Sequence, residues 1–259
     1  MRIPYYHVDA FTGRIFAGNP AGICLLDSWP DDALLQNIAA ENHLPETAFV
    51  VADGEVFALR WFSPRMEIDL CGHATLAAAH VLHLTGLVPV GPIRFSTSSG
   101  PLRVEKQDDL LLLDFPARPA AACQPPPELV RGLGAQPLEV YKARDYLAVF
   151  AREEEIIALA PDFSRLAGLD CLGVIATAPG READFVSRFF APRAGIPEDP
   201  VTGSSHCTLI PYWAARTGKD RLTARQLSAR GGELSCEHHG DRVRIGGHAV
   251  LYLTAILDL

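Results

Sequence analysis

The stretch Arg60 to Gly86, RWFSPRMEIDLCGHATLAAAHVLHLTG, decides how this chain folds. A strand-like run ending at Phe62 stops at Ser63-Pro64, and a short connection carries Glu67 and Asp69. Cys71-Gly72-His73-Ala74-Thr75 follows, then a segment apolar on every face from Leu76 to Leu84, closed by Gly86. A helix apolar all round belongs inside a core, and glycine is the usual residue just past a helix end. Glycine ahead of the first turn lets backbone approach a ligand closely. The unpaired N–H groups and the positive end of the helix dipole there suit a carboxylate or phosphate. A thiol, an imidazole and two carboxylates are thus expected at one helix start.

The arrangement comes twice. Ser187-Arg-Phe-Phe-Ala-Pro192 precedes Glu198-Asp199-Pro200-Val201-Thr202-Gly203-Ser204-Ser205-His206, and an apolar segment then runs to Arg216-Thr217-Gly218. Phe62 and Pro64 fall 128 positions before Phe190 and Pro192, and Thr85-Gly86 fall 132 before Thr217-Gly218. The 132-residue offset also relates Gly100-x-Leu102 to Gly232-x-Leu234. Nearly constant offsets over these landmarks predict two lobes of one design rather than a solenoid.

At 259 residues, with 48% hydrophobic and 21% charged residues, the chain has the composition of a globular protein with a sizeable core in one or two domains. A net charge of −8 argues against nucleic acid or an anionic membrane surface as the main partner. The N-terminal MRIPYYHVDAF lacks the apolar core of a signal peptide, and no apolar run reaches membrane-spanning length. The six cysteines are dispersed, with no C-x-x-C pair, which reads as reduced thiols of a cytoplasmic protein rather than a disulfide framework or zinc site.

Taken in order, strands are expected over Arg2–Tyr6 and Gly22–Leu26, a helix starting near Asp31, and strands over Ala48–Ala52 and Val56–Phe62. Glu46 stands at a strand entrance beside Pro45. Strands Ile93–Thr97, Leu102–Glu105 and Leu110–Phe115 follow the first core helix. Five prolines within Pro116–Pro127 mark the domain boundary. The second half offers helices near Glu128–Gly132 and Arg152–Leu159. Its strands are expected over Leu138–Lys142, Tyr146–Phe150, Gly173–Thr177 and Asp184–Phe190. Pro211 lies inside the second core helix, so it is expected either to kink that helix or to push its start to about Thr208. Strands Leu234–Glu237, Arg242–Ile245 and Ala249–Leu257 close the chain. No nucleotide loop, nucleophile elbow or paired-cysteine metal site is present in the sequence.

Phe16-Ala-Gly-Asn-Pro-Ala21, Pro45-Glu-Thr-Ala-Phe49, Arg60–Pro64 with Cys71–Thr75, and Glu198–Ser204 together resemble the PhzF-like phenazine-biosynthesis isomerase family over essentially the whole chain. The resemblance implies an α+β fold like that of diaminopimelate epimerase. It has two pseudo-symmetric lobes, each a curved, mostly antiparallel sheet around a central helix, with the active site in the cleft between them. Residues 1–115 joined by the returning strand 248–259 would form one lobe, and residues 116–247 the other.

By the same resemblance Glu46 is the general acid/base, and Gly72, His73, Asp199, Gly203 and Ser204 contact a small carboxylate substrate. Neither a metal nor an organic cofactor is implied, and the protein is expected to be a cytoplasmic homodimer. Pro45 stands where family members commonly carry serine, which removes a hydroxyl beside the site. Cys71 falls where the epimerases carry one of their two catalytic thiols, and its expected opposite number is Asp199. The reading is a cofactor-independent isomerase that moves a proton between carbons. Its competitors are a cysteine-based amino-acid racemase or epimerase and a non-catalytic small-molecule binder.

Overall fold

The computed structural model describes residues 1–259. The chain divides into two compact units: Met1–Asp114 with Gly246–Leu259, and Phe115–Ile245.

The first unit opens with β1 (Arg2–Ala10) and β2 (Asn19–Leu26), then α1 (Asp32–Asn42) and the hairpin of β3 (Glu46–Asp53) and β4 (Val56–Phe62). A two-residue strand, β5 (Glu67–Ile68), leads into α2 (Gly72–Leu84), followed by β6 (Ile93–Thr97), β7 (Gly100–Gln107) and β8 (Leu110–Pro116). The C-terminal strand, Ala249–Asp258, returns to pair antiparallel with β1. From there β1 pairs antiparallel with β2, β2 parallel with β3, β3 antiparallel with β4, β4 parallel with β6, and β6 antiparallel with β7.

Side-chain alternation divides this sheet between two helices. Cys24 and Leu26 of β2 point to one face, where they join Leu35, Ile38 and Ala39 of α1 and Phe49 of β3 in one core. Their alternates Ala21 and Ile23, also fully buried, point to the other face, and β2 is the strand that α2 packs on most closely. As expected of a helix without a polar face, α2 buries Ala74, Leu76, Ala77, Ala78, Ala79, Val81 and Leu82 completely. Each of its large side chains contributes roughly 1.5–3 kcal/mol by leaving water. A charge at Leu76 would abolish that packing.

The second unit follows the same plan. A short β9 (Ala121–Ala122) and α3 (Pro127–Leu133) precede β10 (Glu139–Lys142) and β11 (Tyr146–Val149). Then come α4 (Glu153–Ala158), α5 (Phe163–Ala167), β12 (Val174–Pro179), β13 (Phe185–Ala191), β14 (Ile196–Asp199) and α6 (Gly203–Thr217). The unit ends with β15 (Arg221–Gln226), β16 (Gly232–His239) and β17 (Arg242–Gly247). Pairings run antiparallel for β10/β11, parallel for β11/β12, antiparallel for β12/β13, parallel for β13/β15 and antiparallel for β15/β16. That is the ladder order of β1, β2, β3, β4, β6 and β7. In each unit the central helix is inserted between the fourth and fifth strands of this ladder.

Of the two outcomes expected for α6, the late start is not the one seen. The helix starts at Gly203 rather than Thr208 and carries Pro211 within its span. Proline cannot donate to the carbonyl one turn back, that of Cys207, and the backbone N–H of Arg118 takes that acceptor at 2.8 Å. The proline-rich boundary segment itself thus supplies the bond that the helix lacks.

Candidate active site

In the first unit the site is built where β3 starts and α2 starts. Glu46 is the first residue of β3, in parallel register with Ala21 of β2, and its side chain is buried. His73, in the first turn of α2, is buried as well, and its Nε2 lies 3.1 Å from Glu46 Oε2. This is ion-pair distance without the alignment of a hydrogen bond. On the other edge of the ring, Nδ1 meets the Asn19 amide at 3.2 Å and the Cys71 sulfur at 3.5 Å. Burial works against a charged imidazole, but the Glu46 carboxylate beside Nε2 acts the other way, and the His73 pKa lies well above its ordinary value. The Cys71 thiol pKa is raised too, by burial first and then by the Glu46 charge, which keeps the thiol protonated.

Cys71 occupies the N-cap of α2 without a side-chain cap hydrogen bond, and the first N–H groups of a helix have no partner within it. Gly72 is the first helical residue, partly exposed beside His73. The carboxylate at this helix start is Glu46 and not Glu67. Glu67 is forked onto Arg60 at 2.7 and 2.8 Å, and Arg60 also holds Asp32, which fixes Glu67 at the surface. Donor atoms of Glu46, Cys71 and His73 lie within 4.8 Å of one another. The ring stands between sulfur and carboxylate, however, with one nitrogen to each, whereas a metal site gathers its donors around a single point.

In the second unit, β14 ends at Asp199 and α6 begins at Gly203 and Ser204. Thr202 fills the N-cap without capping, and its hydroxyl instead donates a short hydrogen bond to Asp199 Oδ2. Ser204 Oγ accepts from Arg144 Nη2 at 3.1 Å, and Arg144 is held by Asp145, itself buried, at 2.9 Å. Glu198, next to Asp199 in the chain, turns to Arg188 at 2.7 and 2.9 Å. His206 lies beneath this helix start, fully buried, and its Nδ1–H donates to the Thr202 carbonyl at 2.8 Å. Burial depresses its pKa to about 4, so the ring is neutral.

The structure therefore joins Glu46, Gly72 and His73 at one helix start and Asp199, Gly203 and Ser204 at the other. Arg144, Asp145 and Gln226 are not apparent from the sequence. Arg144 and Asp145 sit in a connection between short strands with no motif around them, and nothing local in the sequence marks them. Asn19 lies inside a quoted motif, where its neighbours Gly18 and Pro20 signal only a turn.

A family model described as phenazine biosynthesis-like protein matches residues 8–255. An uncharacterized isomerase of Pseudomonas aeruginosa is 52% identical, with the alignment covering all of both chains. A crystal structure of a phenazine biosynthesis protein PhzF family member from Enterococcus faecalis is 48% identical, covers both chains fully and superposes with a TM-score of 0.98. A hydroxyproline epimerase from Agrobacterium vitis, 11% identical over 99% of this chain and 92% of its own, has a TM-score of 0.63, a likeness of fold alone. Fold and relatives together define an isomerase of the epimerase-like α+β class. Within that class, the chain belongs to the phenazine biosynthesis-like PhzC/PhzF family. No helix is long and apolar enough to cross a membrane.

Proposed function

We propose that this isomerase moves a proton between two carbons of a small carboxylic acid, with Glu46 as the group that takes and returns it. The observation that supports this most is the buried Glu46–His73 pair, 3.1 Å apart, at the uncapped start of α2. A buried carboxylate beside an imidazole is placed to accept a proton from carbon. The imidazole compensates its charge without being a competing base. In the first step the C–H bond breaks, its proton moves to a Glu46 oxygen, and its electron pair spreads toward the substrate carboxylate. In the second step the Glu46 carboxyl, whose O–H exchanges with solvent, delivers a proton to another carbon of the conjugated system. Positive ends of dipoles and cations stabilise the charge that spreads into the acid during the first step.

Gly72 and His73 at the start of α2, and Asp199, Gly203 and Ser204 at the start of α6, are the substrate-contacting positions in this reading. The chemistry is complete with side chains and helix dipoles, so no cofactor enters it. A homodimer and a cytoplasmic location belong to the same proposal.

The test is deuterium wash-in from D2O, followed by NMR, with two probes. But-3-enoate serves for proton transfer between carbons, since loss at C2 and gain at C4 give but-2-enoate. L-proline serves for inversion at one carbon. Deuterium at C4 of the but-2-enoate product supports the reading. Exchange in proline alone would replace it with a racemase, and exchange in neither would remove it.

A further inference from the structure

Gln226, the last residue of β15, is a polar side chain with no solvent exposure. A buried carboxamide is costly unless its donors and acceptor are matched, and here the matches all lie on the Asp199–Thr202 connection. Its Oε1 accepts the Thr202 backbone N–H at 2.9 Å. Its Nε2 donates to the Asp199 carbonyl at 2.8 Å and to Thr202 Oγ1 at 3.2 Å. The amide has only one orientation that works: a backbone N–H can only donate and a carbonyl can only accept.

That orientation has a consequence for Asp199. Thr202 Oγ1 receives a hydrogen from Gln226, so its own single proton is left to point at Asp199 Oδ2, which it meets in a short hydrogen bond. The chain of donors runs one way, from Gln226 through Thr202 to the Asp199 carboxylate. Its origin is anchored in the middle of a sheet. Gln226 is in register with Ser187 of β13 on one side and Gly232 of β16 on the other. A strand residue paired on both sides is more rigid than the connection it grips, and rigid support is what holds a site residue in productive geometry.

We infer that Gln226 is a positioning residue: through the Thr202 hydroxyl it sets the carboxylate of Asp199 for the substrate. This rests on the reading of Asp199 as a substrate-contacting group. It extends that reading inward to two side chains that nothing else assigns to the reaction.

Thr202→Val removes the hydroxyl at nearly constant volume, Thr202→Ser keeps it, and Gln226→Leu removes the origin of the relay. With but-3-enoate as probe, Thr202→Val and Gln226→Leu are expected to lower kcat about tenfold or more while KM changes less. Thr202→Ser should stay within about threefold of wild type. Gln226→Leu leaves a buried N–H without its acceptor and so risks folding. Thr202→Val is therefore the deciding variant, checked by its melting curve and its crystal structure. Wild-type kcat in Thr202→Val overturns the inference. Where the wild-type protein exchanges neither but-3-enoate nor L-proline, the proposed reaction fails, and the crystal structure of Thr202→Val decides the positioning claim. An Asp199 carboxylate rotated from its wild-type place upholds that claim; one left in place overturns it.

Discussion

His73 Nε2 stands 3.1 Å from Glu46 Oε2, and the two residues reach that distance from elements of different kind. Glu46 opens a strand, where Pro45 fixes the approach of the chain, and His73 sits in the first turn of the helix that packs on the same sheet. Neither side chain has room to move far, because both are buried. Glu46→Gln keeps the shape and removes the base. Turnover of the true substrate is expected to fall by a factor of about 10² or more, the usual size of acid/base catalysis. The variant should still fold, with a melting temperature lowered by loss of the charge opposite His73. Activity within a few-fold of wild type would take the proton transfer away from Glu46.

The same pair shows in stability. The His73 pKa in the folded protein lies above its unfolded value of about 6.5. Below that pH the ring is charged in both states, and the contribution of the pair is fully present. As pH rises past it, the unfolded chain releases its proton while the folded one holds on, so stability is lost until pH has passed the folded pKa. The urea midpoint of wild type relative to His73→Gln should therefore be more favourable at about pH 6 than at about pH 9. A gap that widens with pH would show that the ring is held neutral.

His206 behaves oppositely. With a folded pKa of about 4, it stays neutral while the unfolded chain takes up a proton below about pH 6.5. Its contribution to stability is present above that pH and is lost as pH falls toward 4. The loss across this window is about 3 kcal/mol. Below the folded pKa the curve flattens. His206→Gln keeps a donor for the Thr202 carbonyl and should remove this segment of the acid profile, as read by urea melts at a series of pH values. An unchanged acid slope would place the titration elsewhere.

What the residues reveal in advance, and what they hide, follows the range of the interactions. The buried character of α2 is legible because it depends only on the run Leu76–Leu84, and each helix start is marked by its own glycine and flanking polar residues. Glu46 can be placed at a strand start from Pro45 and the apolar run behind it. Pro211 misleads although the local rule is right: the helix does lose a bond there. The compensating N–H comes from Arg118, far away in sequence, so no pattern around the proline announces it. Strand β15 is hidden because it is short and a polar residue, Gln226, takes one of its three inward positions beside Leu222 and Ala224. Gln226 is hidden with it, since its role exists only through its contacts with Asp199 and Thr202. Proximity in sequence points Glu67 to the helix start, and Arg60 takes it instead.

Cys71 separates proton transfer by Glu46 from a thiol mechanism. Its position at a helix N-terminus would by itself favour the thiolate, and its sulfur is 3.5 Å from an imidazole nitrogen. Burial and the Glu46 carboxylate act against this and raise its pKa, so at neutral pH it is a thiol with little nucleophilic character. Two-base inversion also needs a second base for the opposite face of the carbon. The motif that corresponds to Cys71 in the second unit supplies Asp199, while Cys207 is buried in α6 with its pKa pushed up to about 11. Cys71→Ala should therefore keep at least about a tenth of wild-type turnover, a rise in the barrier under ~1.4 kcal/mol. Iodoacetamide at neutral pH should modify Cys71 slowly, as followed by mass spectrometry of the peptide that contains it. Complete loss of turnover in Cys71→Ala, with Glu46→Gln still active, would instead establish the thiol as the base.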